Sequence, residues 1–164
     1  MDAFIELVPV ADNYATLPVS QAFTWAPVAE SLETGEWYMV AFRSILRADA
    51  DQDRLSHYDN WAHEEAEGAE GFVHYYRGPL AADRSCLSFC LCNSRAEART
   101  AAARPAHRDA VTLIADTYEA YALEFLTMRK RAGSEALEFE LYDFAGEAAS
   151  SVPQRPANLG FSPA

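Results

Sequence analysis

No apolar run in the 164 residues approaches the length needed to cross a bilayer, which argues against a transmembrane helix. Positive charge is also scarce: 13 Lys and Arg stand against 25 Asp and Glu, a formal net charge of −12. Nucleic acid and anionic membrane surfaces are therefore not expected as partners, because their phosphates would be repelled. The sequence has no glycine-rich phosphate loop, Rossmann fingerprint, serine nucleophile elbow or spaced metal-ligand motif. Neither a nucleotide cofactor nor a metal is expected. Met1 is followed at once by Asp2 with no basic stretch, so the expected location is the cytoplasm. The three cysteines, Cys86, Cys90 and Cys92, lie at even positions within seven residues of one predicted strand. Zinc favours a Cys-x2-Cys turn with partners elsewhere, and residues two apart on a strand are poorly placed for a disulfide. They are expected to be reduced, buried and unreactive small hydrophobes.

What the chain does have is a core. Half of its residues are hydrophobic and 12% are aromatic, enough for one domain with a buried interior. Its most patterned stretch runs from Ser94 to Gly133. Ser94 and Glu97 form a Ser-x-x-Glu capping box, so a helix starts there. Pro105 interrupts the pattern and suits the first position of a second, longer helix. Ala110, Val111, Ile114, Tyr118, Tyr121, Ala122 and Phe125 give that helix an apolar stripe at three- and four-residue steps. Arg129, Lys130 and Arg131 fit its last turn, Gly133 its end, and His107 its first turn.

Before this stretch, residues 1–35 read as an arm of short apolar pieces split by prolines, followed by a short helix over Thr24–Leu32. Trp25 either anchors that helix or serves as a ligand lid. Glu36–Leu46 is a strand with apolar residues on both faces, so both must be covered. Arg43 sits within one face and needs a partner or a polar pocket. Asp49 to about Glu67 is a helix with Leu55, Tyr58, Ala62 and Ala66 inward. His57, Asn60, Trp61 and Glu64 form a ridge beside that stripe, either a pocket edge or a solvated flank. Gly71–Arg77 and Ser85–Cys92 form a hairpin, with Phe72, His74 and Tyr76 on one side of its first strand. Leu137–Leu141 is the last strand, and residues 144–164 form a flexible tail.

The order β-α-β-β-α-β places the chain in the α+β class with a ferredoxin-like arrangement. A first strand, a hairpin and a broken second helix, with Ser94-x-x-Glu97-Ala98 followed by Arg104-Pro105-Ala106-His107, resemble the dimeric α/β-barrel proteins, in particular the antibiotic-biosynthesis-monooxygenase group. The resemblance covers residues 36–143. It implies a homodimer in which two four-stranded sheets close a barrel, with a ligand cleft between sheet and helices in each subunit. It also implies cofactor-free oxygenation of an aromatic or polyketide-like substrate. Cyclisation or isomerisation in the same pocket and non-catalytic binding of haem or a hydrophobic metabolite stay open. His107 matches the histidine that begins the group's long helix, and in haem-degrading members a histidine near this position holds iron. It could equally be a helix-start histidine bonding a nearby carbonyl.

The residues themselves point to acid–base chemistry on a small molecule. A mostly apolar cavity is expected between sheet and helices, with His74, Tyr76 and His107 as its catalytic groups. An imidazole accepts a proton near neutral pH, and a phenol donates one or steadies an oxyanion. Trp61, Asn60, Phe72, Tyr118 and Arg43 are the expected substrate contacts. If the sheet presents its other face, Tyr75 and Arg43 enter the pocket and His74 and Tyr76 lie inside the barrel. A dimer is expected because the helices can cover only one face of the sheet.

Overall fold

Strand β1 (Gly35–Leu46), apolar on both faces, is the spine of the structure, a computed structural model that describes residues 3–150. Strands β2 (Phe72–Tyr76), β3 (Ser85–Cys92), β4 (Tyr118–Lys130) and β5 (Leu137–Leu141) complete an antiparallel sheet of order β2-β3-β1-β4-β5. The first four strands have the 4-1-3-2 order of the ferredoxin-like fold, read from the opposite edge, and β5 extends the sheet beside β4. The fold is α+β.

Local sequence sets most of the helices. A turn of 3-10 helix (Tyr14–Thr16), α1 (Val19–Ala22) and α2 (Trp25–Ser31) precede the sheet. The Asp51 side chain accepts the Arg54 amide at 2.9 Å and caps α3 (Gln52–Glu67). Ser94 accepts the Glu97 amide at 3.2 Å and donates to its carboxylate at 2.7 Å, the capping box that opens α4 (Arg95–Ala102). Pro105 is the first residue of α5 (Pro105–Val111), which one turn, α6 (Ile114–Thr117), separates from β4. Helix α7 (Phe144–Ser150) follows β5. The flexible tail expected over residues 144–164 therefore begins as a helix, and its part from residue 151 on lies outside the described residues.

The long second helix expected up to Gly133 ends at Val111. Tyr118–Lys130 is instead the longest strand, paired with β1 from Gly35 to Leu46 on one edge and with β5 on the other. Alanine, leucine and glutamate in this segment favour a helix locally, but β1 needs a neighbour on its second edge, and tertiary pairing overrides weak propensity. Gly133 closes no helix. At φ +73° it takes the left-handed conformation in the β4–β5 turn, where a side chain would be strained.

The two faces of the sheet have different covers. One face presents Met39, Ala41, Leu87, Phe89, Leu91 and Met128, all fully buried. The N-terminal segment lies over it, contributing Phe4, Leu7, Tyr14, Val19, Phe23, Trp25 and Val28 to the same core. The expectation that only a second subunit could cover this face does not hold, because the chain covers it with its own residues. The other face carries Phe42, Ser44, Cys86, Ser88 and Cys90 toward α3, α5 and α6.

A bulge divides β2. Phe72 pairs with Cys92 and His74 with Leu91, a register shift of one residue. Phe72 and Tyr75 therefore face the helices, whereas His74 and Tyr76 face the N-terminal segment. Strict alternation had placed Phe72 with His74.

Candidate functional site

A cavity of about 470 Å³ lies between the second face and helices α3, α5 and α6. Its walls are mainly apolar, with Phe42, Leu46, Leu55, Phe72, Leu113 and Ile114, and four tyrosines (Tyr58, Tyr75, Tyr118 and Tyr121) ring it. Sites for small molecules combine an enclosing apolar wall with a few convergent polar groups, and this cavity has that make-up.

His107 reaches the cavity from the first turns of α5, a position fixed from α3. Arg104, just before α5, donates to the carbonyls of Glu65 at 2.8 Å and Gly68 at 3.1 Å, where α3 ends. The Glu65 carboxylate accepts the Ala106 amide at 2.9 Å, satisfying a donor that the start of α5 leaves open. Burial lowers the His107 pKa from its ordinary value, against a hydrogen bond to the Ala102 backbone and the charge of Glu65. A neutral imidazole that donates through one nitrogen offers the other as a proton acceptor.

The β2 wall carries a polar cluster. Tyr75 donates to Asp59 Oδ1 at 2.9 Å, and Arg77 pairs with Asp59 Oδ2. Arg77 Nη2 also donates to Asn60 Oδ1 at 2.8 Å. Burial, and then the Asp59 charge, push the Tyr75 pKa up, so it remains a phenol. Burial opposes the Arg77 charge, yet Asp59 and Tyr75 raise its pKa on balance. With its side chain 46% exposed, Arg77 marks the cavity's rim. Burial pushes Tyr118 up to about 12 and moves Tyr121 in the same direction. Both stay protonated as potential donors. His63 lines the same wall, its Nε2 3.2 Å from Glu67 and its ring against Tyr75 at 5.3 Å between centroids.

Of the expected site residues, His107, Phe72 and Tyr118 line the cavity. His74 and Tyr76 do not. His74 stacks on Phe4 at 4.4 Å, and Tyr76 on Phe89 at 5.4 Å and edge-on to Phe23. Arg43 lies on that same face, paired with Glu124 and donating to the Ala15 carbonyl at 2.6 Å. It answers the need for a partner and leaves the pocket. Asn60 and Trp61 are exposed on the outer flank of α3, around a shallow hollow shared with His57 and Glu64. Asn60 touches the site through Arg77. Sequence reasoning missed Asp59, His63, Arg77 and Tyr121. For two of them the signal was present: Asp59 and His63 are four apart and flank the Leu55, Ala62 and Ala66 stripe that faces the cavity.

Among the described residues no group of three His, Cys, Asp or Glu is arranged to hold a metal ion, and no helix is long and apolar enough to cross a membrane.

A family model described as PB2B2.08-like matches residues 1–141. The chain belongs to the PB2B2.08-like family. The match takes in the N-terminal segment as well as the sheet. Comparison with curated proteins gives no match. Solved ferredoxin-like structures, members of the antibiotic-biosynthesis-monooxygenase group among them, resemble this PB2B2.08-like protein. The cofactor-independent oxygenase SnoaB from Streptomyces nogalater is 14% identical over 60% of this chain and 95% of its own, with a TM-score of 0.45. A dimeric ferredoxin-like protein of unknown function from Thermobifida fusca is 12% identical over 58% and 93%, with a TM-score of 0.46. A candidate antibiotic biosynthesis monooxygenase from Nitrosomonas europaea is 11% identical over 57% and 90%, with a TM-score of 0.48.

Proposed function

We propose that this PB2B2.08-like protein is an enzyme that takes a proton from a hydrophobic, aromatic or polyketide-like small molecule, and that the resulting enolate reacts with dioxygen without a cofactor. The observation that carries the reading is the apolar, tyrosine-ringed cavity with His107 in its wall. Burial keeps His107 neutral near pH 7, the form that accepts a proton. Tyr118 and Tyr121, held as phenols, are placed in the walls to donate to an enolate oxygen as charge develops there. Arg77, tied to Asp59 and Asn60, adds a positive group at the rim and favours substrates bearing an oxygen at one end.

The test uses an anthrone, an aromatic ketone whose ring C–H becomes acidic through enolisation. Binding is read by tryptophan and tyrosine fluorescence, and turnover by an oxygen electrode. The expected result is saturable binding with oxygen uptake matching substrate loss. His107→Gln should retain the fold and slow turnover by roughly a hundredfold or more. Turnover that continues at the same rate without oxygen would reassign the proton abstraction to ring closure or isomerisation. Failure of the anthrone to bind or react would sink the reading.

A further inference from the structure

We propose that the N-terminal segment, residues 3–32, takes the place of a second subunit, so that this chain works as a monomer. The face it covers is the kind that ordinarily recruits a partner: Met39, Ala41, Leu87, Phe89, Leu91 and Met128 form a continuous apolar surface on a rigid sheet. Here every one of them is at 0% exposure, and the cover comes from the same chain.

Three kinds of contact make the cover specific. Aromatic side chains interlock across it: Phe89 meets Phe4 at 6.3 Å, Phe23 at 5.8 Å and Trp25 at 5.6 Å between ring centroids. Trp25 also meets Phe139 of β5 at 4.8 Å, so the segment spans the sheet from the β2 side to β5. Polar groups then latch it. Tyr14 Oη donates to the Pro79 carbonyl at 2.5 Å, and Arg43, which also pairs with Glu124, donates to the Ala15 carbonyl. Finally, the segment satisfies its own backbone. Val10 donates to Ala22 at 3.0 Å, Thr24 to Val8 at 2.9 Å, and the buried Trp25 indole to Val19 at 2.8 Å. A segment without these internal bonds would carry unpaired amides into an apolar interface.

The sequence around the latch is fitted to it. A β-carbon at Gly78 would collide with the Tyr14 hydroxyl and the Leu87 carbonyl, so the turn after β2 accepts Tyr14 only with glycine there. The family match begins at residue 1, which makes the segment part of what defines the family. A net charge of −12 adds repulsion between copies. The cavity lies on the opposite face of the sheet, away from the covering segment.

The test is the concentration dependence of the full chain. Sedimentation should give 18.2 kDa throughout, and the melting midpoint should be the same across about a hundredfold range of protein concentration, since unfolding of a monomer is unimolecular. A doubled mass, or a midpoint that climbs with concentration, would overturn the proposal. Trp25→Ala provides the second arm: it should lower the midpoint equally at every concentration. A Trp25→Ala variant that melts like the parent would show that the segment does not hold the face. If the variant fails to fold, the parent's concentration series still decides.

Discussion

Phe89→Ala is the most informative single perturbation of this architecture. Phe89 sits at 0% exposure in the middle of β3, against Tyr76 at 5.4 Å and His74 at 6.4 Å on its own sheet and against Phe4, Phe23 and Trp25 on the N-terminal segment. Truncation removes the transfer energy of a buried ring and leaves a void that five neighbouring rings can only partly fill. Loss of about 3–5 kcal/mol follows, from the usual range for such changes. A domain of this kind has about 5–15 kcal/mol in total, so the variant should fold but unfold at markedly lower urea. Urea titration followed by tryptophan fluorescence measures the midpoint, and an unchanged slope certifies that stability alone has moved. The Trp25→Ala partner completes a double-mutant cycle. Rings 5.6 Å apart should be coupled by about 0.5–1.5 kcal/mol. A loss under about 1 kcal/mol, or a coupling of zero, would refute the packing of the N-terminal segment on the sheet.

Two further outcomes are expected. Burial puts the folded His107 pKa below its ordinary 6.5, so between the two values the unfolded chain holds more protons. Stability is then fully present above about 6.5 and is lost as pH falls through the folded value; chemical denaturation at stepped pH should show this, and a His107→Gln variant with the same acid slope would remove His107 as its source. Burial also pushes the Cys90 thiol up and the Cys92 thiol to about 11, so iodoacetamide near pH 8 should spare both in the native protein and modify both in urea, as read by mass spectrometry. Rapid native labelling of both would contradict the raised pKa values.

The elements legible in the sequence are those whose signal is local. Strand β3 alternates cysteine and serine with Leu87, Phe89 and Leu91, and the structure puts the two sets on opposite faces. The Ser94–Glu97 box and Leu137–Leu141 were equally self-contained. β4 was not legible. Tyr118, Tyr121 and Phe125 fall at helical steps by coincidence, among residues that favour helices, while the reason for their extended form lies some eighty residues away in β1. The N-terminal segment was opaque for a related reason. Its apolar pieces are short and broken by Pro9 and Pro18, so no periodicity announces a buried face, and only the sheet shows what Phe4, Phe23 and Trp25 cover.

The site turned on a single residue of register. His107 lines the cavity from a helix start marked by proline, a position that does not depend on strand parity, whereas Tyr118, expected within the long helix, reaches the cavity from the first position of β4. His74 and Tyr76 were assigned to the pocket with Phe72 by counting in twos, and the bulge after Phe72 reverses that count for all that follows. Gly71 stands just before it at φ +74°, but a glycine at the first residue of a strand reads from sequence as the end of the preceding turn. A physical criterion nevertheless separates the faces once contacts are known. On the N-terminal side each polar group is occupied: His74 by Phe4, Tyr76 by Phe89 and Phe23, Arg43 by Glu124 and Ala15. On the helix side Asp59, Arg77 and Tyr75 satisfy one another, yet His107, Tyr118 and Tyr121 border open volume. Polar groups in an apolar wall, left facing space rather than protein, are costly to keep unless something else comes to fill that space. That asymmetry, more than residue type, is why the proposed chemistry is assigned to the helix side of the sheet.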